Sequence, residues 1–173
     1  MSEISVRFRI VGIYFGATYK NAVTQEIKVS VPANPTVAQV MEAAALEAVR
    51  GQIPGVTSFL FSPAAPTPDE FCESVSVDYN KSPNGRLDSG LYRLQQSEEA
   101  FQEQILQYYI FDENFVQKNT KNEQAPFGGP PPVEIEDGDL VLWRMVTIAT
   151  KPINSSRAKG RQNRMSKAMA ANL

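Results

Sequence analysis

Widely separated patterns constrain how this chain can fold. Two runs near the N-terminus alternate apolar and polar residues, and their apolar members are Ile4, Val6, Phe8 and Ile10, then Ile27, Val29 and Val31. Alternation of this kind predicts half-buried strands, and two such strands in succession predict a hairpin. Far downstream, Asp137-Gly138-Asp139 predicts a tight turn that leads into a buried strand over residues 140–148.

A helix is predicted directly after the second run, from Thr36 to Arg50. Thr36 is followed three residues later by Gln39, which is the spacing of a capping box. Apolar residues then repeat at helical spacing and form one stripe, which consists of Val37, Val40, Met41, Ala44 and Ala48. Gly51 comes next, and glycine is typical of the position that follows a helix.

Further strands are predicted where alternation recurs or where β-branched and aromatic residues concentrate. These strands are Val56–Phe61, Phe71–Tyr79, a segment around residues 91–94, and Gln107–Phe111. Between the last two, Ser97 precedes Glu98 and Glu99, which is the composition of a helix start. Residues 97–104 are therefore expected to be locally helical.

Together these elements predict an α+β fold in which a mixed sheet packs on one main helix. Residues 1–150 are expected to form the domain, with an inserted segment of strand and helix at about 63–103, and residues 151–173 form a basic tail. The prediction requires that Val40 of the helix and Trp143 of the last strand share one hydrophobic core.

The same segments resemble the β-grasp superfold, which includes ubiquitin-like domains, and within it the transcobalamin C-terminal type. Three short motifs carry the likeness: Thr36-Val37 at the helix start, the aromatic strand and turn Tyr108–Asn114, and the Gly-Asp turn strand Asp137–Leu142. The resemblance implies a β-grasp-like domain, and domains of this fold mostly bind other molecules rather than transform them. A fold alone does not assign a function.

The composition excludes several kinds of catalytic site. The chain has no histidine and one cysteine, Cys72, so it cannot form a Ser-His-Asp triad, a histidine-ligated metal site or a thiolate cluster. We therefore expect no catalytic residue, no cofactor and no metal. Cys72 is expected to be a small apolar residue or an exposed bystander rather than a nucleophile. Gly128-Gly129 is internal, so ubiquitin-like conjugation is not expected.

Charge is distributed unevenly along the chain. Six of the seventeen basic residues, and none of the nineteen acidic residues, lie at or after Lys151, so the first 150 residues carry a net charge of −8. An acidic body with a basic tail indicates an interaction arm, although a solvated terminus has the same composition. The tail residues expected to contact a partner are Arg157, Lys159, Arg161, Arg164 and Lys167.

Tyrosines supply a second set of candidate contact residues, because tyrosine is enriched in protein interfaces. Tyr14 and Tyr19 lie around the end of the hairpin, and Tyr108 and Tyr109 are consecutive in one strand. Consecutive strand residues point to opposite faces, so one of the latter pair is expected to point away from the core. It forms either an exposed contact patch or a residue that a second layer covers.

Arg144 follows Trp143 in the last strand and points to the opposite face. Two roles are open for Arg144. It is either an exposed charge that discourages pairing at a sheet edge or a ligand for an acidic group, and we expect the first.

The function expected from these features is a non-enzymatic protein-interaction or assembly module, whose body and tail contact a partner protein or another copy of the chain. One alternative is a nucleic-acid-associated protein that uses the tail as an electrostatic arm, and another is a small-ligand-binding protein. No stretch has the roughly twenty apolar residues of a transmembrane helix. Glu3, Arg7 and Arg9 interrupt the first apolar run, so this run is not expected to be the apolar region of a signal peptide. We expect a cytoplasmic protein without membrane contact.

Overall fold

A computed structural model describes residues 2–11, 26–79, 90–95, 97–99, 102–119 and 126–149. Within these ranges the chain has an α+β fold, as the sequence predicts. Its elements are β1 (Glu3–Val11), β2 (Ile27–Pro32), α1 (Val37–Val49), β3 (Val56–Ser62), β4 (Ser74–Tyr79), β5 (Gly90–Gln95), β6 (Ser97–Glu99), β7 (Gln102–Phe111) and β8 (Leu140–Ala149).

The larger sheet has five strands in the order β2-β1-β8-β7-β6. β1 pairs antiparallel with β2, as the two alternating runs predict, and parallel with β8. β8 in turn pairs antiparallel with β7. The sheet is therefore mixed, with β8 at its centre, and its arrangement beside one helix is compatible with a β-grasp-like fold.

A second sheet consists of β3, β4 and β5, all antiparallel. β4 and β5 lie in the predicted insertion, so residues 91–94 extend this second sheet rather than the larger one. Phe59 of β3 packs against Phe8 of β1 in an edge-to-face arrangement, with ring centroids 5.6 Å apart. Both sheets therefore contribute to the same core.

The helix α1 begins and ends where the sequence predicts. The Thr36 hydroxyl accepts a hydrogen bond from the Gln39 N–H at 3.1 Å, and the Gln39 side chain accepts one from the Thr36 N–H at 2.9 Å. Gly51 follows the C-terminal cap with a φ of 73°, a conformation that glycine adopts readily because it has no Cβ. The buried face of α1 includes the predicted stripe, Val37, Val40, Met41, Ala44 and Ala48.

One hydrophobic core joins α1 to both sheets. Val40 and Trp143 belong to the same cluster of buried residues, which confirms the condition that the predicted fold requires. Phe127, from the segment before β8, lies between the layers, and its ring centroid is 5.8 Å from that of Phe61 and 6.1 Å from that of Trp143. Edge-to-face aromatic pairs contribute about 0.5–1.5 kcal/mol each beyond the burial of their area.

The prediction of a local helix at residues 97–104 is wrong. Residues 97–99 form β6, and β7 begins at Gln102, where its pairing with β8 starts. Glutamate and glutamine are good helix formers, but intrinsic helix propensity is a weak preference that pairing along an adjacent strand overrides. β7 therefore extends well before the predicted start at Gln107.

The Gly128-Gly129 pair packs closely against another loop. A Cβ atom at Gly128 would collide with the Thr67 backbone oxygen, and a Cβ atom at Gly129 would lie 2.7 Å from the Pro68 backbone oxygen. The missing side chains let the two loops meet, so the pair has a packing role at this internal position.

Candidate interaction surface

The face of the larger sheet that points away from the core carries three arginines. Val6, Phe8 and Ile10 of β1 are buried in the core, so the residues between them face the other way. Strand register extends this outer face across β8 and β7. Its central members are Arg7, Arg9, Val11, Leu140, Leu142, Arg144, Gln107, Tyr109 and Phe111.

Arg7 joins the outer face to the loops at the end of the sheet. Its Nε donates a hydrogen bond to the Gly138 oxygen at 2.8 Å, and its Nη2 donates one to the Asp112 backbone oxygen at 2.9 Å. Its guanidinium carbon lies 4.8 Å from the centroid of the Phe115 ring, and its Nη1 lies 3.7 Å from Glu26 Oε1. The planar, forked guanidinium suits such divergent contacts, and Arg7 is fully engaged within the protein.

One carboxylate holds the turn at residues 112–117. Asp112 Oδ1 accepts hydrogen bonds at 2.8 Å from the backbone N–H groups of Asn114 and Val116. The Asp112 N–H donates to the Val116 oxygen at 2.9 Å, and the Phe115 N–H donates to the Asp112 oxygen at 3.1 Å. Aspartate-to-backbone bonds of this kind stabilise tight turns, and here they fix the residues at the tip.

The tip of the 112–117 turn is exposed and apolar. Phe115 and Val116 are 62% and 61% exposed. Phe115 has a φ of 62°, a left-handed conformation that costs a bulky residue about 1–2 kcal/mol. An exposed ring in a costly conformation points to a functional role. We call the outer face and the 112–117 turn together the sheet-and-turn surface.

Arg9 and Arg144 also lie on the outer face, but no carboxylate pairs with either guanidinium in the described part of the chain. Both Nε atoms are buried, and neither has a hydrogen-bond acceptor among the described residues. The Arg144 guanidinium carbon lies 5.1 Å from the centroid of the Tyr109 ring. Because β8 is flanked by β1 and β7, the prediction that Arg144 protects a sheet edge is wrong. Its other role, a ligand for an acidic group, stays a prediction.

Tyr108 and Tyr109 point to opposite faces, as expected, and both are buried. Tyr108 faces the core. Tyr109 lies on the outer face, where Arg144 covers its ring and its hydroxyl donates a hydrogen bond to Gln107 Oε1 at 2.6 Å. Tyr109 is therefore a covered residue rather than an open patch, and the exposed aromatic ring of this surface is Phe115. A contact role for the two tyrosines stays a prediction.

The other predicted contact residues lie outside the described residues. They are Tyr14, Tyr19, Arg157, Lys159, Arg161, Arg164 and Lys167. Their roles stay predictions. The tail follows β8 directly in the sequence, and β8 also carries Arg144.

Near the turn, Lys118 binds two carboxylates. Its Nζ lies 2.6 Å from Glu136 Oε2 and 2.7 Å from Asp139 Oδ2. Asp139 is buried, and its Oδ2 also accepts a hydrogen bond from the Glu136 N–H at 2.8 Å. Burial acts to lower the pKa of Lys118, but the hydrogen bonds and charges of Asp139 and Glu136 outweigh it and raise that pKa above its ordinary value. These bonds hold the loop before β8 in place.

Neither a nucleophilic cysteine nor a metal-binding cluster is found among the described residues. Cys72 is buried, and burial raises the pKa of its thiol to about 12, so the thiolate that a nucleophile requires does not form near neutral pH. The sequence predicts that Cys72 is either a small apolar residue or an exposed bystander, and its burial agrees with the first. No group of three or more Cys, Asp or Glu side chains in the described ranges is arranged to hold a metal ion.

An open groove of about 500 Å³ lies at the start of α1. Its lining residues are Asn34, Pro35, Thr36, Pro130, Pro131, Glu134 and Ile135. The adjacent helix donors are already used, because the Gln39 N–H bonds to Thr36 and the Ala38 N–H donates to the Phe127 oxygen at 2.9 Å. A capped helix start has less donor capacity left for an anion, so the sheet-and-turn surface is the stronger candidate site.

Among the described residues, no helix has the length and apolar character that crossing a bilayer requires. A search against models of known protein families found no match to the chain, and a search of curated proteins found none either.

Proposed function

We propose that this protein is a non-enzymatic interaction or assembly module. Its body and its basic tail bind a partner protein or a second copy of the chain, and the contact region of the body is the sheet-and-turn surface. The proposal includes membership of the β-grasp proteins, of the transcobalamin C-terminal or ubiquitin-like kind, and a location in the cytoplasm.

The observation that carries the proposal is the exposed Phe115 ring. Asparagine or glycine would adopt the left-handed conformation at this position at lower cost, so phenylalanine is a poor choice for the isolated domain. A partner that buries the ring would change this balance, because full burial of a phenylalanine side chain contributes about 1.5–3 kcal/mol. Asp112 and Arg7 hold the turn in place before any partner binds, which lowers the entropy cost of association.

The surroundings of Phe115 have the composition of a protein interface. Val116 adds a second exposed apolar side chain, and Arg7 lies beside the ring. Arg9 and Arg144 lie farther along the same face. Interfaces are enriched in aromatic residues and arginine, and a few such residues supply most of the binding energy.

Two observations favour a protein partner over a nucleic acid. The Tyr109 ring is covered by Arg144, so it does not offer a stacking face to a base. Val116, which follows Phe115, adds an exposed aliphatic side chain, which suits an apolar protein contact and offers no charge to a phosphate backbone.

The test is a matched pair of substitutions, Phe115→Asn and Phe71→Asn. Phe71 is another exposed phenylalanine, at 45% exposure, and it lies outside the sheet-and-turn surface. Asparagine tolerates the left-handed conformation, and this gain offsets the lost Arg7 contact, so the free energy of unfolding of Phe115→Asn is expected within about 1 kcal/mol of wild type.

Each protein is used as bait in an extract of the native host with quantitative mass spectrometry, and its self-association is measured by sedimentation velocity. We expect a partner, or self-association, that wild type and Phe71→Asn retain and that Phe115→Asn weakens about tenfold or more. The same partners and the same association state for all three proteins would contradict the proposal.

A further inference from the structure

We propose that the outer face of the larger sheet binds an acidic polypeptide segment, whose carboxylates pair with Arg9 and Arg144. This inference rests on the proposed function and names the chemistry of the partner. It follows from the two arginines that have no acidic partner in the described part of the chain.

Strand register brings these two arginines together. Arg9 of β1 lies beside Leu142 of β8, and Arg144 of β8 lies beside Val11 of β1. The arginines are therefore diagonal neighbours on one face of adjacent strands. The Arg144 guanidinium lies over Tyr109 of β7, on the side of β8 away from β1, so the two guanidinium groups would meet separate carboxylates of one extended segment.

Arg7 shows what a satisfied arginine on this face looks like. Its Nε and Nη2 donate to backbone oxygens, and its Nη1 lies near Glu26. Arg9 and Arg144, in contrast, have no carboxylate within ion-pair distance among the described residues, and neither Nε has an acceptor there. A carboxylate from a partner would supply the charge-assisted pairing that guanidinium groups favour.

The rest of the face suits a polypeptide. Leu142 and Val11 flank the two arginines as their register partners and offer apolar contact, and the exposed Phe115 extends the apolar surface at the end of the sheet. The Arg144 guanidinium carbon lies 5.1 Å from the centroid of the Tyr109 ring, and this cation–π contact favours one position of the guanidinium. Acidic residues interspersed with apolar ones would therefore match the charges and the apolar contacts together.

The test measures fluorescence anisotropy of a labelled poly-glutamate peptide, and of a labelled single-stranded oligothymidylate of equal charge, at low salt. The proteins are wild type, Arg9→Gln, Arg144→Gln and the control Arg50→Gln. Arg50 is an exposed arginine at the end of α1 that pairs with Glu47, so its substitution removes the same charge elsewhere. We expect the peptide to bind wild type and Arg50→Gln alike and to bind Arg9→Gln and Arg144→Gln about tenfold or more weakly.

A second measurement needs no substitution. In wild-type protein, the Nε–Hε NMR signals of Arg9 and Arg144 are expected to shift as the peptide is added, while that of Arg50 stays in place. Equal binding by all four proteins, no binding at low salt, or unmoved arginine signals would overturn the inference. So would an oligothymidylate that binds more tightly than the peptide and depends on Arg9 and Arg144. The proposed function is tested separately. It stands after any of these results if Phe115→Asn loses its partner and Phe71→Asn retains it.

Discussion

Lys118, which follows the 112–117 turn, forms ion pairs with Glu136 and Asp139 in the loop before β8. The stability that these ion pairs contribute is expected to depend on pH. The pKa of Lys118 is raised above its ordinary value of 10.5 in the folded protein. A raised pKa means that the folded state holds the proton more tightly, so the stabilisation is complete below the ordinary pKa and is lost as pH rises through the folded value.

We therefore predict that the free energy of unfolding of wild type falls above about pH 10.5 more steeply than that of Lys118→Arg. Arginine keeps its charge at these pH values. Urea unfolding curves at neutral pH and in steps above pH 10 measure the difference, and the comparison cancels the titration of other groups. Parallel pH profiles for the two proteins would show that the bonds of Lys118 to Asp139 and Glu136 do not stabilise the fold.

Single residues could be predicted from the sequence where their structure is local. The capping box of Thr36 and Gln39 needs only a spacing of three, and the opposite directions of Tyr108 and Tyr109 follow from the strand pleat. The covering of Tyr109 could not be predicted, because Arg144 reaches its ring from another strand. The left-handed conformation of Phe115 carried no sequence signal, since phenylalanine is rare there.

At the scale of elements, Arg7 connects β1 to the 112–117 turn and to the turn before β8. We predict that Arg7→Lys lowers the free energy of unfolding by about 1–2 kcal/mol and speeds amide hydrogen exchange at Phe115 and Val116. A lysine ammonium cannot donate along the divergent directions that the guanidinium uses for Gly138 and Asp112.

Arg50→Lys is the matched control for this prediction. Arg50 is exposed and bonds to one carboxylate, so its substitution is expected to change the free energy of unfolding by less than about 0.5 kcal/mol. Equal effects of the two substitutions, or unchanged exchange at the turn in Arg7→Lys, would show that Arg7 does not hold the turn.

Elements with a strong local pattern were predicted well, and those that depend on distant pairing were not. β1, β2 and α1 follow from periodicity, whereas residues 97–99 and 102–104 form strand because β6 pairs with β7 and β7 pairs with β8. The hydrogen bonds of the Asn119 side chain to β7 were not predicted either. Its Oδ1 accepts from the Ile110 N–H at 2.8 Å and its Nδ2 donates to the Tyr108 oxygen at 3.1 Å, so a side chain replaces a neighbouring strand along β7.

At the scale of the whole molecule, parallel pairing of β1 with β8 creates the candidate site. It places Arg9 beside the strand that carries Arg144, although the two are far apart in sequence. The contact residues predicted from the sequence were tyrosines and the basic tail, because composition and residue type can be read without knowledge of the fold. Convergence of two arginines on one face depends on strand order, which local patterns do not contain.

The sheet-and-turn surface is tested most directly by photo-crosslinking in the native host. Val116 or, as a control, Val49 is replaced with p-benzoylphenylalanine. Val49 lies at the end of α1 and is 74% exposed, so it is at least as open to solvent. A discrete covalent adduct from position 116, to one partner or to a second copy of the chain, and none from position 49 is the predicted result. No adduct from position 116, or equal adducts from both positions, would contradict it.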